Sequence, residues 1–527
     1  MRSLLGRFHR PMSRGAMGDM LTMNSLGDGS TLSLDFTTMG GVLDPRLTFS
    51  RAGGGTYVGA DGYIYGVDSA TSASLAIGTG SKSVTLTATA GVDRRFQVGQ
   101  TVYFSSGANN MSGLVTAYNA STQVITINAT ATTGSGSFTL WFVGNASPRF
   151  DYSPTNIGEP RGLLVEGQTV NILKSSEEFS IALGYAEGDL IVPRTSGTSP
   201  SGGTAIGFYP TTSSGYHRLT SIYQVGLSGA YTASIWFKRL NSNYRAGINA
   251  NSLLGAAAIF DLNNAGSLIT LSGAATNKAA TIIKYPNDWY RVTVTGTIVT
   301  ETVLFFFMDS STSTDPNGGS FTGVNGQGML MWGAQLEAGS GASSYIPTGA
   351  SQVTRNADQC YLTDFAGWSA GGNFNTAEGT LFVDQAITYV GTTNYPTGGF
   401  STSNTAGSRF GWQYRQGDAP QAYRGLVNAG YIFELPVGAG WTIPSGTTRF
   451  RHAMSCGGNT FLRQSLKSSA SSGSPTQNNY SDVSTLNISG VAAFTLTQSA
   501  FASSVRIAKV KYWPRAFTLN ELDSLTT

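Results

Sequence analysis

Short segments in which apolar and polar residues alternate recur along most of this chain. Ser83-Val-Thr-Leu-Thr-Ala-Thr, Gln123-Val-Ile-Thr-Ile-Asn and Tyr290-Arg-Val-Thr-Val-Thr are examples, each bounded by Gly, Ser, Asn or Pro. A period of two places every second side chain on one face of a pleated strand, so each segment buries one face and wets the other. The 67 glycines supply turns, and charged residues make up only 12% of the chain, about half the usual share of ~25%. Low charge with abundant aromatics excludes a disordered chain. At 527 residues one hydrophobic core does not suffice, so three or four domains are expected. The reading is all-β: tandem β-sandwich (jelly-roll) domains with a small inserted β-barrel and an extended N-terminal arm.

Bulk properties exclude several functions. A net charge of +3 is too small for a nucleic-acid partner. No run approaches the ~20 apolar residues of a membrane span, and the opening Met1-Arg-Ser-Leu-Leu-Gly-Arg lacks the apolar core of a secretory signal. Cys360 and Cys456 are the only cysteines, and they are expected to be unpaired. Residues 1–30 carry Arg2, Arg7, Arg10 and Arg14, read either as a solvated arm or as a basic docking peptide for an acidic partner.

Five segments follow from the pattern: the arm 1–30, a β segment 31–69, an inserted barrel 70–147, a sandwich 148–357 and a second sandwich 358–527. In the insertion, Asn119-Ala-Ser-Thr between two strands reads as a hairpin turn. At the far end, Thr518 and Glu521 form a capping box ahead of Leu519 and Leu522, and Pro514 stops the preceding strand. That is the one clear helix expected.

Four phrases bracket the middle sandwich: Arg149-Phe-Asp-Tyr-Ser-Pro, Arg161-Gly-Leu-Leu-Val-Glu-Gly-Gln, Trp332-Gly-Ala-Gln-Leu-Glu-Ala-Gly and Tyr345-Ile-Pro-Thr. In this order they resemble phrases of structural proteins in tailed-bacteriophage virions, where a carbohydrate-binding-like β-sandwich lies between them. Phe49-Ser-Arg-Ala, Thr56-Tyr-Val and Asp61-Gly resemble the opening of the same proteins, and Asp288-Trp-Tyr-Arg-Val-Thr-Val matches one of their strands. About eighty further residues here separate the opening from the first phrase, as an insertion would. The glycine pattern of that insertion, Gly78-Thr-Gly-Ser-Lys, Gly99, Gly113 and Gly134-Ser-Gly, resembles a small barrel module of phage tail and fibre proteins. Glu378-Gly-Thr-Leu-Phe-Val-Asp and Val505-Arg-Ile-Ala-Lys-Val-Lys-Tyr-Trp-Pro resemble the first and last strands of concanavalin-like, laminin-G-type domains.

The resemblance implies a virion structural protein, a tail fibre or tail-associated adhesin. It would dock on other virion proteins through its N-terminal arm, contact host-surface polysaccharide, and assemble as a homo-oligomer, a trimer above all. A capsid decoration or head-fibre protein is the first alternative, a polysaccharide depolymerase the second.

Candidate chemistry is sparse. His9, His217 and His452 fall in three regions with no Gly-x-Ser-x-Gly elbow beside them. Glu177 and Glu178 are adjacent, so on a strand they would point to opposite faces rather than form a catalytic pair. The chain is therefore read as non-enzymatic. Asp309, Asp315 and Asn317 offer oxygen ligands for calcium in a Gly-rich loop, or simply make a polar loop; no other cofactor is expected. For glycans, Trp412, Tyr414, Arg415, Tyr423, Arg424 and Trp441 combine aromatic faces with planar polar groups. Trp412 and Tyr414 share one face of a strand, either a stacking platform or the core face.

Overall fold

The computed structural model describes residues 28–40, 42–51, 54–66, 69–71, 73–86, 96, 98–106, 109–119, 121–139, 141–192, 196–221, 226–299, 303–390, 397–401, 408–415, 422–427, 431–436, 448–457, 461–468, 475–481, 491–496 and 503–527. These residues form an all-β protein of many antiparallel sheets.

The C-terminal sandwich is assembled from both ends of the chain. Its hub is the strand Ser503–Trp513, which pairs along one side with Glu378–Val390. On the other side its first half takes Pro160–Glu166 and its second half takes Leu32–Asp35. Arg149–Tyr152 then pairs with Pro160–Glu166, completing an eight-stranded sheet among the described residues. The facing sheet begins with Leu47–Ser50 paired to Gln359–Leu362. So four strands that precede residue 167 belong to the sandwich that the sequence reading began at 358. Alternation explains why they fit: Leu32 and Leu34, then Leu163 and Val165, drop into one core with Leu381, Val383, Val505 and Ile507. Period two identifies a buried face, but not the sheet that supplies its partner.

The middle sandwich packs a seven-stranded sheet, with Ala230–Arg239 between Met329–Ala338 and Trp289–Thr297, on a six-stranded sheet centred on Arg245–Ala250 and Phe305–Asp309. Its core includes Ile235, Phe237, Ile248, Phe260, Val292, Phe306, Met331 and Leu336. The outer face of the seven-stranded sheet is also covered. There Trp236, Trp332 and Tyr345 lie with ring centroids 4.5–5.5 Å apart, capped by Val58 and Ile64 of the N-terminal hairpin.

One further expectation is corrected. The insertion is an open six-stranded sheet rather than a barrel among the described residues, with edge strands Ser69–Thr71 and Gly80–Thr85. Those edges make no ladder with each other; the Thr71 hydroxyl donates to the Thr85 carbonyl at 2.6 Å instead. The module still has its own core of Val102, Phe104, Met111, Ile125, Ile127, Trp141 and Val143. The clear helix expected at the C-terminus is present at Leu519–Thr526, and the other α-helical segments among the described residues are single turns at Asn251–Leu254 and Phe365–Trp368. Both parts of its Thr518–Glu521 capping box are formed. The turn at Asn119 has its side chain accepting from the Ser121 and Thr122 amides at 2.9 and 3.2 Å. Arg2, Arg7, Arg10 and Arg14 lie outside the described residues.

Cys360 and Cys456 are both buried in the C-terminal core, and burial pushes Cys456 up to about 12. They report on the borrowed strands. Leu34→Ala, distant in sequence from both, is expected to destabilise this sandwich by about 2–5 kcal/mol and to accelerate thiol labelling of Cys360 and Cys456 under native conditions. Unchanged labelling would place the N-terminal strand outside the cooperative unit.

Candidate functional site

The four phrases that bracket the middle sandwich converge where the two sandwiches meet. Arg149, fully buried, sends one Nη to Glu166 at 2.6 Å and the other to Asp358 at 2.5 Å. Asp358 also holds Arg51 at 2.7 Å, and Glu166 holds Arg355 at 3.0 Å. The Ser344 amide and the Ser504 hydroxyl donate to Glu166 Oε1 at 2.8 and 2.9 Å, while the Ser344 hydroxyl takes Oε2 at 2.5 Å. Burial alone would push the Glu166 carboxyl up, but Arg355 and Arg149 hold it well below the usual carboxylate range. A second carboxylate, Glu337, is bound by the Ser343 amide and hydroxyl at 2.9 and 2.6 Å and by Gln335; burial pushes it upward.

Each phrase has a mechanical reason. Gly162 has φ +104°, and a Cβ there would lie 2.2 Å from the Ile507 carbonyl, so only glycine lets this strand approach Ser503–Trp513. Gly333 has φ +69° and leaves room for the Trp236 ring next to the irregular register between Ser234 and Trp236. Tyr345 accepts from the Thr56 hydroxyl at 2.8 Å through its carbonyl, and the Ile346 amide donates to Gln335 at 2.8 Å. The knot therefore joins the N-terminal segment, the middle sandwich and the C-terminal sandwich by hydrogen bonds.

Beside the knot is a cavity of about 90 Å³, walled by Arg161, Arg291, Arg506, Asp151, Trp236 and Tyr285. Arg506 pairs with Asp151, whose other oxygen accepts from the Val58 amide at 2.8 Å. Arg291 stacks over the Trp236 ring at 4.4 Å and donates to the Ser343 carbonyl at 2.8 Å and the Ser234 hydroxyl at 3.1 Å. A wider, open cleft of about 560 Å³ lies on the middle sandwich, lined by Arg239, Asn241, Ser242, Asn243, Tyr244 and Gln327.

The residues singled out in the sequence are placed differently. Trp412 is 1% exposed and part of the C-terminal core, so it is not a stacking platform; its ring fills the space over Gly398 that any side chain there would need. Tyr414 pairs with Tyr423 and Arg415 with Ala422 across two adjacent strands, and Arg424 pairs with Gln413. Trp441 and His9 lie outside the described residues. Asp309 is buried and turns inward on its own loop, accepting from the Ser310 amide, the Ser313 hydroxyl and the Gly319 amide at 2.6–2.7 Å. Asp315 accepts from Asn317, and Asn317 from Asn251. These hydrogen bonds order the loop, and among the described residues no group of three or more His, Cys, Asp or Glu is placed to hold a metal ion.

His217 is buried, with its ring nitrogens 2.6 and 2.9 Å from the carbonyls of Asp189 and Phe321. His452 is buried against Gln464 at 3.0 Å, and burial lowers it to about 4. Glu177 lies 3.3 Å from the Tyr345 hydroxyl.

Sequence reasoning singled out the phrases but not Glu166, Asp358, Arg355, Arg291 or Arg506 as one cluster. The available signal was charge embedded in apolar strands of a charge-poor chain, as in Val505-Arg-Ile and Leu163-Leu-Val-Glu.

Comparison with known proteins adds little. No family model matches the chain, and no curated protein matches it. A xylan beta-1,4-xylosidase from Bacillus halodurans C-125 aligns structurally over 91% of this chain and 88% of its own, at 9% identity and a TM-score of 0.19. That level of likeness carries no inference about fold or activity.

Removing the hub carboxylate leaves Arg149 and Arg355 short of a counter-charge. Glu166→Gln is expected to cost about 3–5 kcal/mol near neutral pH. Because Glu166 is lowered from 4.5 in the native state, its contribution is present above pH 4.5 and fades as pH falls below it, so wild type and variant should converge in acid. Equal stability at pH 7 in denaturant titrations would refute the role assigned to this carboxylate. His452 acts in a higher window. With an unfolded value of 6.5 and a native value of about 4, the unfolded chain binds a proton there that the native protein does not. Stability should therefore fall by up to about 3 kcal/mol between pH 6.5 and 4, with that slope reduced in His452→Leu; identical slopes would contradict the assignment.

Proposed function

We propose that this chain is a non-enzymatic structural protein of a tailed-phage virion, a tail fibre or tail-associated adhesin. Support comes from the phrases that resemble virion proteins: they are the residues that lock two sandwiches together, and nothing in their geometry presents a reacting group. Such a lock suits a spacer that must hold its shape between a particle and a surface. The basic arm, with Arg2, Arg7, Arg10 and Arg14, is assigned to docking, and a trimer would cover sheet edges that otherwise invite association.

Host-surface polysaccharide is assigned to the open cleft on the middle sandwich instead of to Trp412. Its lining of Asn241, Asn243, Gln327, Arg239 and Ser242 offers planar amides, a guanidinium and a hydroxyl for sugar hydroxyls. Contact at one such cleft is weak, and many copies on one particle make it effective.

Antibody against the chain should decorate the tails of purified particles, and the purified protein should compete with particles for host attachment. Asn243→Ala should lower that competition several-fold while thermal stability is unchanged. Decoration of capsid vertices would favour the head-fibre alternative. Absence from particles would overturn the virion reading, and clearing of host capsule by the purified protein would overturn the non-enzymatic one.

A further inference from the structure

We propose that the cavity at the sandwich junction binds one small oxyanion, a carboxylate or a phosphate, through Arg161, Arg291 and Arg506. This inference stands whether or not the chain belongs to a particle. It begins with a count of charge. Glu166 and Asp358 are consumed by Arg51, Arg149 and Arg355, and Asp151 by Arg506. Arg161 and Arg291 remain, and neither forms an ion pair among the described residues.

Arg291 is 8% exposed, its Nε is buried without a hydrogen-bond partner, and its other nitrogens reach only neutral oxygens. Among the described residues the Arg161 guanidinium makes one hydrogen bond, 3.3 Å to the Ser153 hydroxyl. Glu337 is the remaining buried carboxylate of the described residues at this junction, and its own burial favours the neutral form. Asp151, already paired with Arg506, and Glu159, exposed and hydrogen-bonded to Asn156, act on Arg161 only at a distance.

A guanidinium in low dielectric, as Arg291 is fully and the half-buried Arg161 in part, needs a counter-charge, and arginine does not escape by losing its proton. Burial lowers both Arg161 and Arg291, and the positive charge of Arg506 lowers both further. An anion between them removes that mutual repulsion. The space agrees: about 90 Å³ is several times the ~10–15 Å³ that one water requires on this measure. That admits an acetate- or phosphate-sized ion. Forked donors facing a small space also match the bidentate geometry that carboxylate and phosphate prefer.

Isothermal titration of the full chain with sodium acetate and, separately, inorganic phosphate, against a constant chloride background, tests the site. Saturable binding of one equivalent of at least one anion is expected, and the anion that binds identifies the class. Arg161→Gln and Arg291→Gln should each weaken it by about tenfold or more, the worth of a lost charge-assisted bond. Arg161→Lys, which keeps the charge without the fork, should fall between wild type and Arg161→Gln; circular dichroism checks that each variant is folded. No saturable binding of either anion by wild type, or equal affinity in a folded Arg161→Gln, would overturn the proposal.

Discussion

The burial of one guanidinium organises this molecule. Arg149 has no contact with solvent, and its two Nη groups reach carboxylates that lie on different parts of the chain, Glu166 and Asp358. Taking such charges out of water is costly, and the cost is offset only while every partner is in place. The strand bearing Glu166 must therefore sit against Ser503–Trp513, and Asp358 must lie just before Gln359–Leu362. A strand shifted by one residue would leave a bare charge inside the protein. Within this account the knot contributes to a single register more than to total stability, which is the best-attested role of buried polar groups.

The hydrophobic arrangement follows from the same constraint. Leu163 and Val165 alternate with Leu164 and Glu166, so one face of that strand feeds the C-terminal core while the other feeds the junction. Trp236, Trp332 and Tyr345 close the junction from the side of the middle sandwich, with Arg291 stacked on Trp236. The polar centre is thereby enclosed by aromatic rings, which lowers its dielectric and strengthens each charge-assisted bond. Among the described residues, the buried Arg291 and the half-buried Arg161 of the same junction pair with no carboxylate.

Much of the fold class was legible in the sequence, because alternation and turn residues are local signals. The Thr518–Glu521 capping box, the turn at Asn119 and the stop at Pro514 were readable for that reason. Strand partnership was not. Leu32-Ser-Leu-Asp reads the same whether its neighbour is near or, as found, Ser503–Trp513. The insertion reads as a barrel by its glycines, but closure depends on edge pairing, which the Thr71 hydroxyl replaces. Trp412 illustrates the limit for sites: alternation places it on a face, and only the packing of Gly398 and the facing sheet assigns that face to the core. Residues of the knot were visible as phrases, whereas their convergence required the tertiary structure.

Joined through the knot, the two sandwiches are expected to unfold as one cooperative body. Differential scanning calorimetry of the intact chain addresses it directly, by comparing the number of transitions and the ratio of calorimetric to van't Hoff enthalpy. The middle and C-terminal sandwiches should melt in a single transition. Two separable transitions, one for each sandwich, would contradict it.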